Sequence, residues 1–429
     1  MRMSIIDRKH PLCRLVGRRS PVGQSLLGFI AMLLCGTASA QKAAEAKTHH
    51  ESASLPTTHE AMAAESAQDA EARSLEITAG GINLRFGGFV KLDFIQDFDF
   101  VGNADQFKVN SIPVDGDPSS LLDGGTNLSA RQTRFDLDVV SDTGAGQLHA
   151  YVEGDFFGTG NSFRLRHGYG EWNGLLAGQT WSTFQDITAR PFTLDYEGPD
   201  SEIFVRQPML RYTATLPNGL EWAIAAEDPD SQISSATGVA GQGRSEWPDL
   251  VARVRWSPPW GHVQVAGIAR QLRFVSNDGA VDETTGGYGL NVSGSAKIMG
   301  TDTVMGHIGF GPGIGRYIES FGGTGADAVL TAGGSLEALD AWGWVLGYTH
   351  AWNQLLASTA SVGTAEIDND PSQGANAINS AKSVHVNLVF TPSQRIVIGG
   401  ELMWGERKDN NGATGDATRL QVSVQYSFR

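Results

Sequence analysis

Seven arginines are the residues of this chain whose type and spacing could do chemistry. Each lies in, or at the edge of, a segment in which apolar and polar residues alternate. They are Arg134, Arg164, Arg166, Arg206, Arg211, Arg253 and Arg255. A planar guanidinium can donate two parallel hydrogen bonds to one carboxylate. Several such groups around a narrow channel would concentrate small anions and exclude cations. The spacing therefore predicts channel-lining residues that bind small anions.

A structural interpretation of the same arginines stays open. Carboxylates share the polar parity of the neighbouring segments, namely Asp136, Asp138, Glu153 and Asp155. Opposite charges that face each other across strands stabilise strand pairing, and the arginines would then only fill the interior. The two interpretations are compatible, because some pairs can be structural while the surplus arginines set the electrostatic field.

Other kinds of site are not indicated by the sequence. The histidines are scattered without the spacing of a metal site, and Asp368, Asn369 and Asp370 lack the fuller ligand pattern of a calcium loop. No G-x-S-x-G motif occurs. We therefore predict no catalytic residue, no metal, no cofactor and no enzymatic activity.

The elements that must position the arginines are strands. In the last segment, Leu420, Val422, Val424, Tyr426 and Phe428 alternate with wholly polar residues, which places two chemistries on two faces of one strand. Sixteen such segments are predicted: roughly 82–97, 128–141, 146–158, 162–173, 174–183, 204–216, 219–228, 249–257, 261–275, 285–299, 301–311, 326–338, 340–353, 380–392, 394–408 and 414–428.

The connections between these segments fall into two alternating classes. Seven short turns, such as Asn173-Gly174, alternate with eight longer stretches that include 98–127, 184–203, 229–248 and 354–379. Short periplasmic turns and long external loops are typical of outer-membrane barrels, whereas a soluble sandwich gives no reason for this sorting. No apolar run of about 18 residues occurs, which excludes a helical membrane protein. The sequence predicts an all-β fold, a sixteen-stranded antiparallel transmembrane β-barrel.

Parity then assigns the two faces of each strand. In 162–173, Leu165 and Tyr169 are predicted to face lipid or a neighbouring subunit, whereas Arg164 and Arg166 face the lumen. The stretch Thr183–Gln207 between the fifth and sixth strands has two possible positions. It folds into the lumen and narrows the pore, or it covers the extracellular rim. In the first case the constriction contains Asp186, Arg190, Asp195, Glu197, Asp200 and Arg206.

The N-terminus predicts export from the cytoplasm. Residues 1–40 combine a basic region, a short apolar core and the cleavage pattern Ala38-Ser39-Ala40, so they read as a signal peptide and Gln41 begins the mature chain. Both cysteines lie in the removed part. We interpret 41–79 as a polar periplasmic linker or short helix and 80–429 as the barrel.

The charge balance excludes one class of partner. The chain carries 32 basic and 47 acidic residues, and without the six basic residues and one acid of 1–40 it carries 26 and 46, a formal charge of −20. Such a balance argues against nucleic acid as a partner. It does not argue against an anionic ligand, because the placement of charges decides the local potential.

Several segments carry a resemblance to a known family. They are Phe163-Arg-Leu-Arg-His-Gly-Tyr-Gly-Glu-Trp172, Leu176-Ala-Gly-Gln-Thr-Trp-Ser-Thr-Phe184, Arg206-Gln-Pro-Met-Leu-Arg-Tyr212 and Phe89-Val-Lys-Leu-Asp93. With these segments, residues 80–429 resemble the DcaP-like family of outer-membrane porins. The resemblance implies a homotrimer in the outer-membrane lipid of a Gram-negative bacterium and passive uptake of small anions such as dicarboxylates. The alternative is a barrel with a structural or adhesive role, or one that carries a hydrolase on its wall.

Overall fold

The structure, a computed structural model, describes residues 75–428 and contains a closed barrel of sixteen antiparallel strands. The first eight are β1 (Ile82–Asp97), β2 (Arg134–Thr143), β3 (Gly146–Asp155), β4 (Arg164–Trp172), β5 (Leu175–Trp181), β6 (Arg206–Thr215), β7 (Leu220–Glu227) and β8 (Asp249–Trp256). The other eight are β9 (Gly261–Ser276), β10 (Asp282–Ile298), β11 (Asp302–Pro312), β12 (Asp340–Asn353), β13 (Leu356–Asp368), β14 (Ile378–Ser393), β15 (Ile396–Asp409) and β16 (Thr414–Ser427). The predicted signal peptide and nearly all of 41–79 lie outside the described residues.

Antiparallel pairing of β1 with β16 closes the barrel. Phe89 faces Ser427 at one end of this ladder, and Asp97 faces Arg419 at the other. Strict alternation along β16 exposes Val422 and Tyr426 on the outer wall and buries Gln421 and Ser423 inside. Closure removes every free sheet edge, which is a condition for crossing a membrane with strands. The prediction of a sixteen-stranded antiparallel barrel is confirmed.

Seven connections of two to four residues gather at one end of the barrel, and the other eight lie at the opposite end. One predicted strand is wrong. Residues 326–338 belong to the long connection between β11 and β12 and form only the short strands Ala328–Leu330 and Leu336–Ala338. The barrel strand that the sequence did not predict is β13 (Leu356–Asp368), which lies inside the predicted loop 354–379. The predicted turn at 338–340 is therefore also wrong.

Short elements decorate the barrel. Leu75–Ala79 and Thr126–Ser129 pair with β1, Gly241–Gly243 pairs with β9, and Ile233–Ser235 joins Ala328–Leu330 and Leu336–Ala338 in a small sheet. Single 3₁₀ turns occur at Val109–Ser111, Pro118–Leu121, Thr159–Asn161, Ile187–Ala189, Gly315–Tyr317 and Glu319–Phe321. Within residues 75–428, no helix has the length and apolar character needed to span a membrane.

Besides residues 98–133, which bury Phe107 and Val109 against Ala381 and Met403, two of the long connections pack inside the barrel. Residues 182–205, which follow β5, and residues 313–339, which follow β11, supply buried side chains such as Phe184, Ile203, Tyr317 and Phe321. These pack on small and apolar residues of the inner wall, including Ala266. Burial of this apolar surface away from water stabilises both loops within the lumen. Of the two predicted positions for the first loop, the structure shows the inward one.

A bulge at Arg166 changes the facing of β4. Asp155 pairs with Arg164 and Gly154 with Leu165, but Glu153 then pairs with His167, so Arg166 is an extra residue. The bulge reverses the parity of the remainder of the strand. Tyr169 is consequently 7% exposed and packs against Tyr151 inside the barrel. The prediction that Tyr169 faces outward is wrong.

Candidate functional site

Three of the seven arginines line the wall formed by β2, β3 and β4. The Arg164 guanidinium donates from Nε (3.0 Å) and Nη2 (2.8 Å) to the two carboxylate oxygens of Asp155. Arg166 donates from Nε to Glu153 (2.5 Å) and from Nη1 to Asp155 (3.0 Å). Arg134 lies 3.8 Å from Glu153. Part of the arginine set is therefore paired with wall carboxylates, as the structural interpretation predicts.

Tyr196 belongs to residues 182–205, hereafter the inward loop, and is the point at which the arginines converge. Its hydroxyl oxygen accepts hydrogen bonds from Arg164 (2.7 Å), Arg166 (2.5 Å) and Arg206 (2.8 Å). The Arg134 guanidinium lies 5.9 Å from the centre of the Tyr196 ring. Burial alone would raise the pKa of Tyr196, but the charges of Arg166, Arg206 and Arg164 outweigh it, so the pKa of this hydroxyl lies below its usual value. The loop thus places a neutral oxygen where a carboxylate would be held most strongly.

Arg206 differs from its neighbours. It begins β6, and its guanidinium stacks 4.8 Å from the centre of the Trp181 ring. Among residues 75–428 it forms no ion pair with a carboxylate, and its Nη1 atom is buried without a hydrogen-bond partner. A cavity of about 150 Å³ lies beside it, lined by Arg164, Trp181, Tyr196, Phe204, Arg206 and Glu319. An Arg donor without a partner next to a cavity can bind a solute oxygen.

The other three arginines lie nearer the short-turn end of the barrel. Arg253 donates to Glu221 (2.6 Å), and Arg255 lies 3.4 Å from Asp186 of the inward loop. Arg211 forms no hydrogen bond or ion pair with any other described residue, and its Nε atom is buried. The seven predicted residues thus form two groups at two levels of the lumen.

Asp186 anchors the inward loop to the wall formed by β9 and β10. Its carboxylate accepts a hydrogen bond from Ser293 of β10 (2.8 Å) and contacts His262 of β9 (2.7 Å). Burial alone would raise the pKa of Asp186, but hydrogen bonding with His262 and the charges of His262 and Arg255 outweigh it, so this group stays ionised. The same carboxylate also accepts from the backbone N–H and side chain of Thr188. The loop is therefore held across the lumen rather than lying on the rim.

The remaining carboxylates of this loop face away from the arginines. Asp195 accepts the Phe107 N–H, and Asp200 accepts the Val109 N–H at 2.7 Å. Burial raises the pKa of Asp195 to about 6, and burial together with the charge of Glu197 raises the pKa of Asp200 to about 8. Asp195 and Asp200 thus contact the first long loop, whereas Tyr196 contacts the arginines.

Sequence reasoning missed the groups that the loops contribute. Tyr196 is aromatic and therefore carried no charge signal, and Glu319 lies in the second inward loop. Trp181, the last residue of β5, was missed for the same reason as Tyr196. Alternation reports on strands alone, so neither loop position could be derived from it. No cluster of His, Cys, Asp or Glu within residues 75–428 has the arrangement of a metal site.

Comparison with known proteins gives the family. The profile described as DcaP outer membrane protein matches residues 59–428. The crystal structure of the outer membrane channel DcaP of Acinetobacter baumannii is similar with a TM-score of 0.73 at 24% identity, over 82% of this chain and 98% of that one. An anion-selective porin from Comamonas acidovorans gives a TM-score of 0.52 at 11% identity, over 81% and 99%. The trimer form of OmpT, an outer membrane protein of Vibrio cholerae, gives 0.50 at 10% identity, over 81% and 99%.

A search of curated proteins finds no match. At these identities the solved structures establish the fold alone, while the family profile spans most of the chain. The family profile, taken together with the barrel fold, points to a channel of the Gram-negative outer membrane rather than to an enzyme. The chain therefore belongs to the DcaP outer membrane protein family and is an outer-membrane porin.

Proposed function

We propose that this porin lets small anionic solutes, dicarboxylates among them, diffuse passively through its arginine-lined lumen. One observation carries the proposal, namely that Arg206 has a buried donor without a partner beside a lumen cavity. A solute carboxylate at this point would accept a hydrogen bond that the protein itself does not supply. Hydrogen bonds to charged groups contribute roughly 1.5–3 kcal/mol each, enough to select a solute without trapping it.

The charges around Tyr196 support the same sign of selectivity. Four guanidinium groups, those of Arg134, Arg164, Arg166 and Arg206, surround a neutral hydroxyl, and their ion pairs reach two carboxylates, Glu153 and Asp155. The formal charge of the whole chain is −15, from which a bulk-charge argument predicts cation preference. The local field inside a confined channel, however, is set by the groups that line it.

Reversal potentials across a planar bilayer under a KCl gradient test the sign of selectivity. Liposome swelling with succinate, compared with a neutral sugar of similar size, tests the solute class. We expect anion preference and faster entry of succinate. Cation preference together with equal entry of both solutes would contradict the proposal.

We also propose that the chain forms a homotrimer in the membrane. The outer wall carries a group of aromatic rings in stacked or edge-to-face contact, with ring centres about 6 Å apart: Phe86, Phe135, Phe156, Phe163 and Phe428. Small residues such as Gly170 and Ala177, which pair with each other on β4 and β5, would allow walls to approach closely. Native mass spectrometry after mild detergent extraction should show three copies, and a spectrum of monomers alone would refute the assembly.

A further inference from the structure

Arg211 forms no hydrogen bond or ion pair with any other residue of the described range 75–428. It lies in the middle of β6 on the lumen parity, and its cross-strand neighbours are Leu176 on β5 and Ala225 on β7. Neither side chain can accept a hydrogen bond. Glu171 and Glu227 attract Arg211 only from beyond ion-pair distance, and Glu227 already accepts hydrogen bonds from Ser182, Thr183 and Gln207. The Arg211 side chain is half-buried, and its Nε atom is buried without a hydrogen-bond partner. An unpaired buried donor is costly, so a ligand that accepts from this guanidinium would stabilise the site.

Arg253 lies two strands further along the wall, on β8, where its Nη2 atom donates to Glu221 (2.6 Å). Its cross-strand neighbours are Ala223 on β7 and Ala266 on β9, and its Nε atom is also buried without a partner. Strands β6 and β8 are separated by β7 alone, or roughly 10 Å, and between the two arginines β7 presents only alanines to the lumen. Two long guanidinium side chains can converge on one anion over such a distance. Their charges repel each other, and a bound carboxylate would relieve this repulsion.

This pair is separate from the Tyr196 group, which consists of Tyr196 and the four arginines around it, Arg134, Arg164, Arg166 and Arg206. Arg206 and Arg211 lie five residues apart on β6, which corresponds to about 17 Å along the strand. A small dicarboxylate is too short to span that distance. The two groups can therefore bind two solutes at once, or one solute in succession.

We propose that Arg211 and Arg253 form a second carboxylate-binding station in the periplasmic half of the lumen, which receives solutes released from the Tyr196 group. The inference rests on the proposed anion function and adds a second binding point to it. Conduction requires binding that is favourable enough for a solute to enter the channel. The binding must also be spread over enough sites for the solute to leave. Two stations in series meet both requirements, because repulsion between two bound anions speeds departure.

Succinate block of the chloride current through single channels tests the second station. We would compare the unaltered protein with Arg206→Ala, Arg211→Ala and the double variant, and use Thr213→Ala, on the same face of β6, as the uncharged control. We expect each single arginine variant to retain a succinate block with a dwell time shortened about fivefold, which corresponds to about 1 kcal/mol. The double variant should lose the block, and Thr213→Ala should behave as the unaltered protein.

The outcomes separate this inference from the proposed function. If Arg211→Ala matches the unaltered protein and the double variant matches Arg206→Ala, no second station exists, while the proposed function stands. If the unaltered protein shows neither anion preference nor succinate block, the proposed function itself fails. Arg211→Lys guards against misfolding, because it keeps the charge but not the fork. If Arg211→Lys blocks as strongly as the unaltered protein, the positive charge at this position is sufficient for binding. If it blocks as weakly as Arg211→Ala, binding requires the planar guanidinium. A dwell time that neither substitution changes overturns the proposal.

Discussion

Two arginines of the Tyr196 group should have different roles. Arg206 should mainly control anion selectivity, whereas Arg166 should mainly stabilise the fold. Arg206→Ala removes a guanidinium that forms no ion pair in the described part of the chain, whereas Arg166→Ala removes the shared partner of Glu153 and Asp155. Both substitutions delete one positive charge close to the same hydroxyl. The structure nevertheless predicts different consequences for folding.

The magnitudes follow from burial and pairing. Arg166 is 1% exposed, and removing one partner of a buried ion pair costs about 3–5 kcal/mol because the other charge is left uncompensated. Arg206 would lose one hydrogen bond and its stacking on Trp181, which costs about 1–2 kcal/mol. For a solute carboxylate about 4 Å from Arg206, the attraction is about 1 kcal/mol at the dielectric of water and grows as the site becomes drier. We therefore expect Arg206→Ala to lower anion preference about fivefold.

Two measurements check this prediction. Urea unfolding of the refolded barrel should show a clear loss of stability for Arg166→Ala and a small loss for Arg206→Ala. Reversal potentials should shift toward zero for Arg206→Ala and remain unchanged for Arg395→Ala, a matched charge deletion in the turn between β14 and β15. Arg206→Lys should keep chloride preference but weaken succinate entry, because the planar fork is lost. An unchanged reversal potential for Arg206→Ala would refute the reasoning.

Three further predictions concern the inward loop and the N-terminus. Asp186→Asn should weaken the loop anchor by about 1–3 kcal/mol, since a charged acceptor of Ser293 and His262 is lost, and single-channel recordings should show larger, noisier currents; quiet currents of unchanged size would contradict this. The raised pKa values of Asp195 (about 6) and Asp200 (about 8) mean that the docked loop binds protons that a released loop does not. Docking should be strongest below about pH 4 and weaken as the pH rises through 6 and 8, so channel noise should grow from pH 5 to 9. Asp200→Asn should flatten this trend, and an equally steep trend in that variant would contradict the prediction. N-terminal sequencing of the membrane-extracted protein should begin at Gln41, and a start upstream of Cys35 would exclude the predicted cleavage site.

The strand count was predictable, but one strand was placed wrongly for a physical reason. In β13 the outer face carries Ser358, Ala360 and Thr364, small or polar residues that weaken the alternation signal. Residues 326–338 resemble a strand more closely because they contain the apolar residues Val329 and Leu330, which are buried inside the barrel. Apolar character reports burial, and the sequence does not say whether the apolar surface faces lipid or a loop packed in the lumen.

The wall residues of the site were predictable to the extent that parity holds. It placed Arg164 and Arg253 on the lumen side, but it failed at Tyr169, because one extra residue at Arg166 reverses the facing. The contact between Tyr196 and Arg166 joins residues 30 positions apart. Such contacts depend on the path of a loop, which local pattern does not encode.

The order of residues in the inward loop explains how an acidic chain can keep a positive lumen wall. Asp195 and Glu197 flank Tyr196, and their carboxylates accept hydrogen bonds from Phe107 and Gln106 of the first long loop. The chain bends at residues 194–197, so that Asp195 and Glu197 contact the first long loop while Tyr196 reaches the arginines. A carboxylate at this position would contact three guanidinium groups and cancel one of their positive charges. The neutral hydroxyl holds the loop in place and leaves their charge available to a passing solute.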